Sequence, residues 1–457
     1  MAGIAAVLVF VPTTMFPTPS PSVDGGQLVM VELLADLSRM RLEDNSYQGE
    51  GEVLRLKASL AQLPASAPTK TRVELYYHLG VAELFLGRER QAIEHLREAV
   101  AMLSELKGAS QSFLNEVRFR LGVASLRLAE TENCCLRYTA DSCVIPIRLG
   151  GVHHEREGSE SAIAQFESVL ADTPPDSRMH LSSLWLLNIA YMTLGEHPQS
   201  VPRHYLIPAE AFASDEGFVR FTNIAPRLGL NTFSLSGGAV ADDLDGDGDV
   251  DLLVSTSDVT GQVRLFLNNQ NGTFSERTQE AGLVGITGGL NMVQADYDND
   301  GDIDVLILRG AWFEEAGQHP NSLLRNNGDG SFSDVTFAAG LGKVHYPTQT
   351  AAWADYDNDG YVDVYIGNES TFAQISPCQL FRNNGDGTFT DVAEAAGVIG
   401  DHYVKGVFWG DYDGDHHADL YVSNLDGPNR LYHNCLLYTS DAADEGLGVD
   451  LGGRRII

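Results

Sequence analysis

Basic side chains are scarce in this 457-residue chain: 30 Lys and Arg stand against 63 Asp and Glu, a formal net charge of -33. Phosphate recognition needs a basic face, so nucleic acid is excluded as a partner class. Long apolar runs are missing as well. None approaches the roughly 20 residues of a membrane span, so no transmembrane span is expected. Cysteines number only five, Cys134, Cys135, Cys143, Cys378 and Cys435, with no CxxC and no CxxCH spacing. A zinc ribbon and covalent haem are thereby excluded. In an oxidising compartment Cys143 could pair with Cys134 or Cys135; reduced thiols in a helical core are the alternative. There is no P-loop, HExxH or GxSxG, and His204, His319 and His345 have no spaced partners, so no enzyme site is expected. The adjacent His153 and His154 read as polar loop residues before metal ligands.

What is present is a 43% hydrophobic composition, enough for real cores, and a length that implies two to four domains. The charge is uneven: residues 219–434 hold 32 acidic and 10 basic side chains, a net of -22. Residues 1–24 open with the apolar run GIAAVLVFV at 3–11. This reads as a secretory signal or its remnant, with a disordered tail as the alternative, since no Lys or Arg precedes it.

Residues 25–205 show apolar residues at helical spacing. In the stretch 73–102, Leu79-Gly80, Gly87, Ala92, Leu96 and Ala99 alternate small and large positions. Gly80 and Ala92 let two antiparallel helices approach, with Leu79 and Leu96 filling the groove. A second copy begins at Leu121-Gly122, is interrupted by about thirty residues, and resumes with Ala162, Phe166 and Pro174. A third helix carries Tyr191 and Gly195. These positions resemble the tetratricopeptide repeat, which implies a concave surface for a protein or peptide ligand. Residues 206–218 read as a linker.

Residues 219–434 contain four acidic loops: DLDGDGDVD from Asp243, DYDNDGDID from Asp296, DYDNDGYVD from Asp355 and DYDGDHHAD from Asp411. Their starts lie 53, 59 and 56 residues apart, and alternating apolar residues follow each. Period two means strand. Between the loops recur LFLNNQNGTF, LLRNNGDGSF and LFRNNGDGTF, hairpin turns whose Asn and Gly tolerate positive φ. A third element, Ala281-Gly-Leu283, Ala339-Gly-Leu341 and Ala396-Gly-Val398, leads toward the next loop. Four strands per period of about 56 residues is a propeller blade. The fold class is therefore multidomain: a helical-repeat domain followed by an incomplete all-β propeller of about four blades. Seven blades would need roughly 390 residues.

The loop spacing itself points to calcium. Carboxylates at positions 1, 3 and 5 turn to one centre, glycine at 6 permits the turn, the carbonyl of 7 adds an oxygen, and an aspartate at 9 closes the shell. The candidate ligands are Asp243, Asp245, Asp247, Asp249 and Asp251 in the first loop, and Asp296, Asp298, Asp300, Asp302 and Asp304 in the second. They are Asp355, Asp357, Asp359, Tyr361 and Asp363 in the third, and Asp411, Asp413, Asp415, His417 and Asp419 in the fourth. Three to four Ca²⁺ ions are expected. An EF-hand needs a bidentate acid at position 12, where Val254, Ile307, Ile366 and Val422 stand instead. In the fourth loop His416 replaces the glycine, so a strained backbone and a weaker site are expected.

These blades resemble the FG-GAP and VCBS repeats of integrin-α-like propellers, as in the cartilage acidic protein family. The resemblance implies an extracytoplasmic binding protein with structural metals and a protein or glycan ligand on the propeller. It also implies a further domain of the ASPIC/UnbV type downstream; an enzyme whose catalytic domain lies there is the alternative reading. Residues 435–457, CLLYTSDAADEGLGVDLGGRRII, resemble a translated sequencing adapter and are set aside from fold reasoning.

Overall fold

The computed structural model describes residues 23–44, 50–139, 141–212, 223–232 and 234–435. The apolar run at 3–11, part of the expected linker and all of the adapter-like tail except Cys435 lie outside them. The chain divides into two compact units, residues 40–228, and residues 229–457 together with 1–39.

The first unit is helical: α2 (Gly51–Gln62), α3 (Thr69–Phe85), α4 (Glu89–Glu105), α5 (Gln111–Glu130), α6 (Glu157–Ala171) and α7 (Arg178–Thr193), each packed on the next. Ser110 and Ser177 cap the N-termini of α5 and α7. Gly87 and Gly195, at φ of 68° and 69°, close α3 and α7 in the left-handed conformation. The expected close approaches are present. A Cβ on Gly80 would lie 2.6 Å from Leu96 Cγ, and one on Gly122 2.7 Å from Phe166 Cε1. Leu79 differs from expectation: it packs on Val53 and Leu56 of α2, while Leu96 packs between α3 and α4 with Val73 and Ile93. The stretch between α5 and α6 starts as a π turn, Thr131–Cys135. It returns through Asn133, whose Oδ1 accepts the backbone N–H groups of His154 and Glu155 at 2.7 and 2.9 Å. His153 lies in a loop as expected, but it is buried there. It is 5% exposed, with Nε2 3.4 Å from Cys134 Sγ and Nδ1 3.2 Å from Ser159 Oγ. Burial pushes its pKa down to about 4.

The second unit contains four antiparallel meanders. They are β1 (Ala239–Asp242), β2 (Asp251–Val254), β3 (Arg264–Asn268) and β4 (Phe274–Glu276); then β5 (Asn291–Ala295), β6 (Asp304–Leu308), β7 (Ser322–Asn326) and β8 (Phe332–Asp334). The third holds β9 (Thr348–Ala354), β10 (Asp363–Asn368), β11 (Gln379–Asn383) and β12 (Phe389–Asp391), and the fourth β13 (Val404–Gly410), β14 (Asp419–Asn424) and β15 (Arg430–Tyr432). Strand order within each sheet is sequential. The alternation of side chains assigns each sheet's two faces to two neighbours. Val305 and Ile307 pack with Leu253 and Leu265 of the first sheet, while Leu306 and Leu308 pack with Val364 and Ile366 of the third. Tyr365 and Leu380 then pack with Leu420 and Val422 of the fourth. This is why β6 and β10 are buried along their whole length. The corresponding row of the fourth sheet, Phe408, Tyr421 and Leu431, is in register across β13–β15 and exposed.

One boundary moves. Helix α1 (Val23–Asp44), placed among the helical repeats by the sequence pattern, joins the sheet unit. Met30 and Leu34 are buried in the core shared by the first two sheets. Gln27 Oε1 accepts from Asp334 N at 3.4 Å, and Ser38 Oγ donates to the Val259 carbonyl at 2.9 Å. A 3.6-residue period announces a helix and leaves its partner open, so the pattern alone could not place it.

Opposite the acidic loops, the second, third and fourth sheets share one buried charge. Glu369 is fully buried; it takes the Trp312 backbone N–H at 2.7 Å and pairs with Lys405 Nζ, which also reaches Gln349 Oε1 at 2.9 Å. Removing one partner strands the other without compensation. Lys405→Met should therefore cost about 3–5 kcal/mol in a urea melt, and adding Glu369→Gln to it should recover much of that loss. In the helical unit, the folded state holds His153 neutral while the unfolded chain protonates near pH 6.5. Its contribution is full above that pH and is lost as pH falls toward 4, by up to about 3 kcal/mol. Unfolding of wild type and His153→Gln across this window should show a shallower pH slope for the variant.

Candidate metal centres

Each acidic loop joins the first two strands of its sheet. Position 1 organises the turn by collecting backbone N–H groups. Asp243 accepts from Gly246, Asp247 and Gly248 at 2.9, 3.1 and 2.9 Å, and Asp411 from Gly414, Asp415 and His416 at 2.7, 3.1 and 2.9 Å. Asp296 and Asp355 bond positions 5 and 6 of their loops in the same way. Position 5 accepts from position 7: Asp249 N, Asp302 N, Tyr361 N and His417 N lie 2.9–3.0 Å from Asp247, Asp300, Asp359 and Asp415. Position 6 is left-handed throughout, φ of 90°, 95° and 91° at Gly248, Gly301 and Gly360 and 71° at His416. The expected strain at His416 is present, of order 1–2 kcal/mol, and the turn is kept. Position 4 is left-handed as well, at Gly246, Asn299, Asn358 and Gly414. The sequence carries this restriction as Gly or Asn at position 4 of all four loops.

The turn brings carboxylates together. One oxygen each from Asp296, Asp298 and Asp300 lies within 4.8 Å of the others, as for Asp355, Asp357 and Asp359, and for Asp411, Asp413 and Asp415. In the first loop the group is Asp243, Asp245 and Asp251, while Asp247 Oδ2 accepts from Gln270 Nε2 at 3.0 Å. The side chains of Asp249, Asp302, Tyr361 and His417 join none of these groups among the described residues. His417 instead places Nδ1 3.0 Å from Asn358 Nδ2 of the third loop. Asp298 Oδ1 and Asp357 Oδ1 are buried with no hydrogen-bond partner. Burial, and then the neighbouring carboxylates, raise the pKa of both residues. The donor set is all hard oxygen, and two of its members are unsatisfied. These residues fit a calcium ion.

Position 9 joins the carboxylate group of its loop at Asp251, whereas Asp304 and Asp363 join none among the described residues; all four position-9 aspartates have a backbone role. Asp251, Asp304, Asp363 and Asp419 are fully buried. Each carboxylate takes two backbone N–H groups from separate elements. Asp304 accepts from Tyr297 N at 3.2 Å, in the loop, and from Asn326 N at 2.8 Å, in β7. Asp251, Asp363 and Asp419 repeat the arrangement. Burial pushes the pKa of Asp304 up to about 8 and of Asp363 to about 7. The asparagine thus fixed reaches backward. Asn326 Nδ2 donates to Leu244 O at 3.1 Å, Asn383 Nδ2 to Tyr297 O at 2.7 Å and Asn434 Nδ2 to Tyr356 O at 2.7 Å, each carbonyl in the acidic loop of the preceding sheet. A second link joins the first two of these pairs: Phe332 N donates to Ala281 O at 2.9 Å and Phe389 N to Ala339 O at 2.8 Å. The sequence marked these asparagines as turn residues only, since their partners lie in another repeat.

Residues 243–307, 311–366 and 370–422 match the family described as FG-GAP-like repeat, so the sheet unit is built of FG-GAP-like repeats. The chain is homologous to cartilage acidic protein 1. The Xenopus tropicalis protein is 29% identical over 160 residues, 34% of this chain and 23% of that one. The Homo sapiens protein is 27% identical over 214 residues, 43% of this chain and 31% of that one. The matched stretch thus spans a third or less of these relatives. Among solved structures, a Podospora anserina putative kinesin light chain with TPR-like repeats is 19% identical, covering 40% of this chain and 93% of that chain at a TM-score of 0.19.

The Asn staple is testable within one molecule. Asn383→Ala leaves the Tyr297 and Val362 carbonyls without their donor, at about 2–4 kcal/mol. Asn268→Ala loses the bonds to Val250 O and from Gln270 N, both within its own repeat and exposed, about 1 kcal/mol. Denaturant unfolding of the two variants should show that order.

Proposed function

We propose that this chain is a calcium-stabilised, extracytoplasmic interaction scaffold without catalytic activity. The observation that carries it is the convergence of carboxylates in four successive loops, with Asp298 Oδ1 and Asp357 Oδ1 buried and partnerless. Bound calcium would neutralise the crowded carboxylates and pin each loop between two strands. Crowded like charges are otherwise costly, and the turn's own hydrogen bonds leave the buried Oδ1 of Asp298 and Asp357 unaccounted for. An extracytoplasmic setting is supported by the millimolar calcium that such modules use and by homology to cartilage acidic protein 1. Among the described residues no helix is long and apolar enough to cross a membrane.

The helical unit offers the protein- or peptide-binding surface. An open groove runs between α5 and α7, lined by Phe119, Asp176, Arg178, Leu181, Trp185 and Leu186. Leu181 and Trp185 are 54% and 44% exposed, apolar area that a peptide would cover. The sheet unit would present a protein or glycan ligand site on its loops.

Thermal unfolding with calcium and with chelator tests the metal reading. Calcium at 100 times its dissociation constant adds about 2.7 kcal/mol per site, so the sheet-unit transition should rise clearly. Asp298→Asn should invert sign between the two conditions: stabilising in chelator, where a repulsion is relieved, and destabilising in calcium, where a ligand is lost. Identical melts in calcium and chelator would overturn the reading.

A further inference from the structure

We propose that the fourth sheet carries a site for a borderline transition-metal cation of the Zn²⁺ class, formed by Asp413, Asp419 and His433, distinct from the all-oxygen loops. The residue before each stapling asparagine faces the position-3 aspartate. It is Arg325 in the second sheet and Arg382 in the third, whose guanidinium groups act electrostatically on Asp298 and Asp357. In the fourth sheet an imidazole stands there. His433 Nδ1 lies 3.5 Å from Asp413 Oδ2 and 3.1 Å from Asp419 Oδ1, and one atom of each residue lies within 4.8 Å of the other two.

Three features make this a built site and separate it from an acidic surface cluster. Its ligands come from three places in the chain: the loop, the first residue of β14 and the segment after β15. Asp419 is 1% exposed and is held by Tyr412 N and Asn434 N, so its position is set by backbone. The His433 ring lies edge-on to Tyr412, with centroids 5.9 Å apart, which orients the imidazole. Zinc bonds of about 2.0–2.1 Å in a tetrahedron place neighbouring ligand atoms about 3.3 Å apart, close to both observed separations. A nitrogen ligand favours zinc-like cations over calcium, which prefers oxygen alone. Water would complete the shell. Asp413 also belongs to the Asp411–Asp415 group, so occupation here competes with calcium in the fourth loop alone. The inference does not depend on calcium binding in the other loops.

The test is calorimetric titration of the full chain with ZnCl₂ in millimolar CaCl₂. Wild type should bind one Zn²⁺ that calcium does not displace. His433→Arg, which restores the residue of the second and third sheets, should bind it at least about 10-fold more weakly, as loss of a ligand requires, while melting like wild type in the absence of zinc. His417→Ala should retain it. Equal zinc affinity in wild type and His433→Arg, or loss in His417→Ala, overturns the proposal. Co²⁺ added to wild type gives a reading independent of any variant: visible bands of a four-coordinate nitrogen–oxygen site are expected, and their absence overturns it. Failure here leaves the calcium-dependent melt unaffected, whereas failure of the calcium reading would appear as identical melts in calcium and chelator.

Discussion

The sheet unit depends on one buried carboxylate per repeat. The aspartate that ends each acidic loop has left water entirely, and both its oxygens are occupied by backbone N–H groups, one from the loop and one from the third strand or, at Asp419, from the segment just after it. A buried acceptor so placed fixes two otherwise independent segments at once. Fixing the third strand positions its asparagine, and the asparagine reaches the preceding loop. Loop, strand and neighbouring sheet are thus joined by a single short path that recurs at Asp304–Asn326, Asp363–Asn383 and Asp419–Asn434.

Packing follows the same logic of mutual dependence. A strand whose alternate residues face two different neighbours cannot be satisfied within its own sheet. Leu306 needs the third sheet as Val305 needs the first. Helix α1 adds cover for the core of the first two sheets, and the Glu369–Lys405 pair ties three sheets at the opposite end. Apolar burial supplies most of the energy, and the polar links fix which neighbour each sheet meets.

The loops themselves divide labour among their aspartates. Position 1 shapes the turn and position 9 anchors it, so both have structural work with or without a cation. Position 3 has little: Asp245 and Asp413 each accept one backbone N–H at 3.3 Å, and in the second and third loops its Oδ1 is buried and partnerless. The ligand-directed part of the motif is therefore narrower than its five acidic positions suggest. The fourth loop changes the chemistry by exchanging an arginine for His433 beside that same position.

The repeat, its period, the strand character after each loop, the hairpin turns and the convergence of carboxylates were all legible in the sequence, because each rests on local periodicity or local turn chemistry. So were the small residues Gly80 and Gly122, since a helix contact that close admits nothing larger. What only the tertiary structure decided are the contacts between segments distant in sequence. Helix α1 joins the sheets, His153 is buried against Cys134, and Asn383 reaches Tyr297, 86 residues away. His433, from the segment after β15, meets Asp413 of the loop. A local pattern specifies an element and its exposed or buried faces; which surface covers the buried face is settled only when the whole chain has packed.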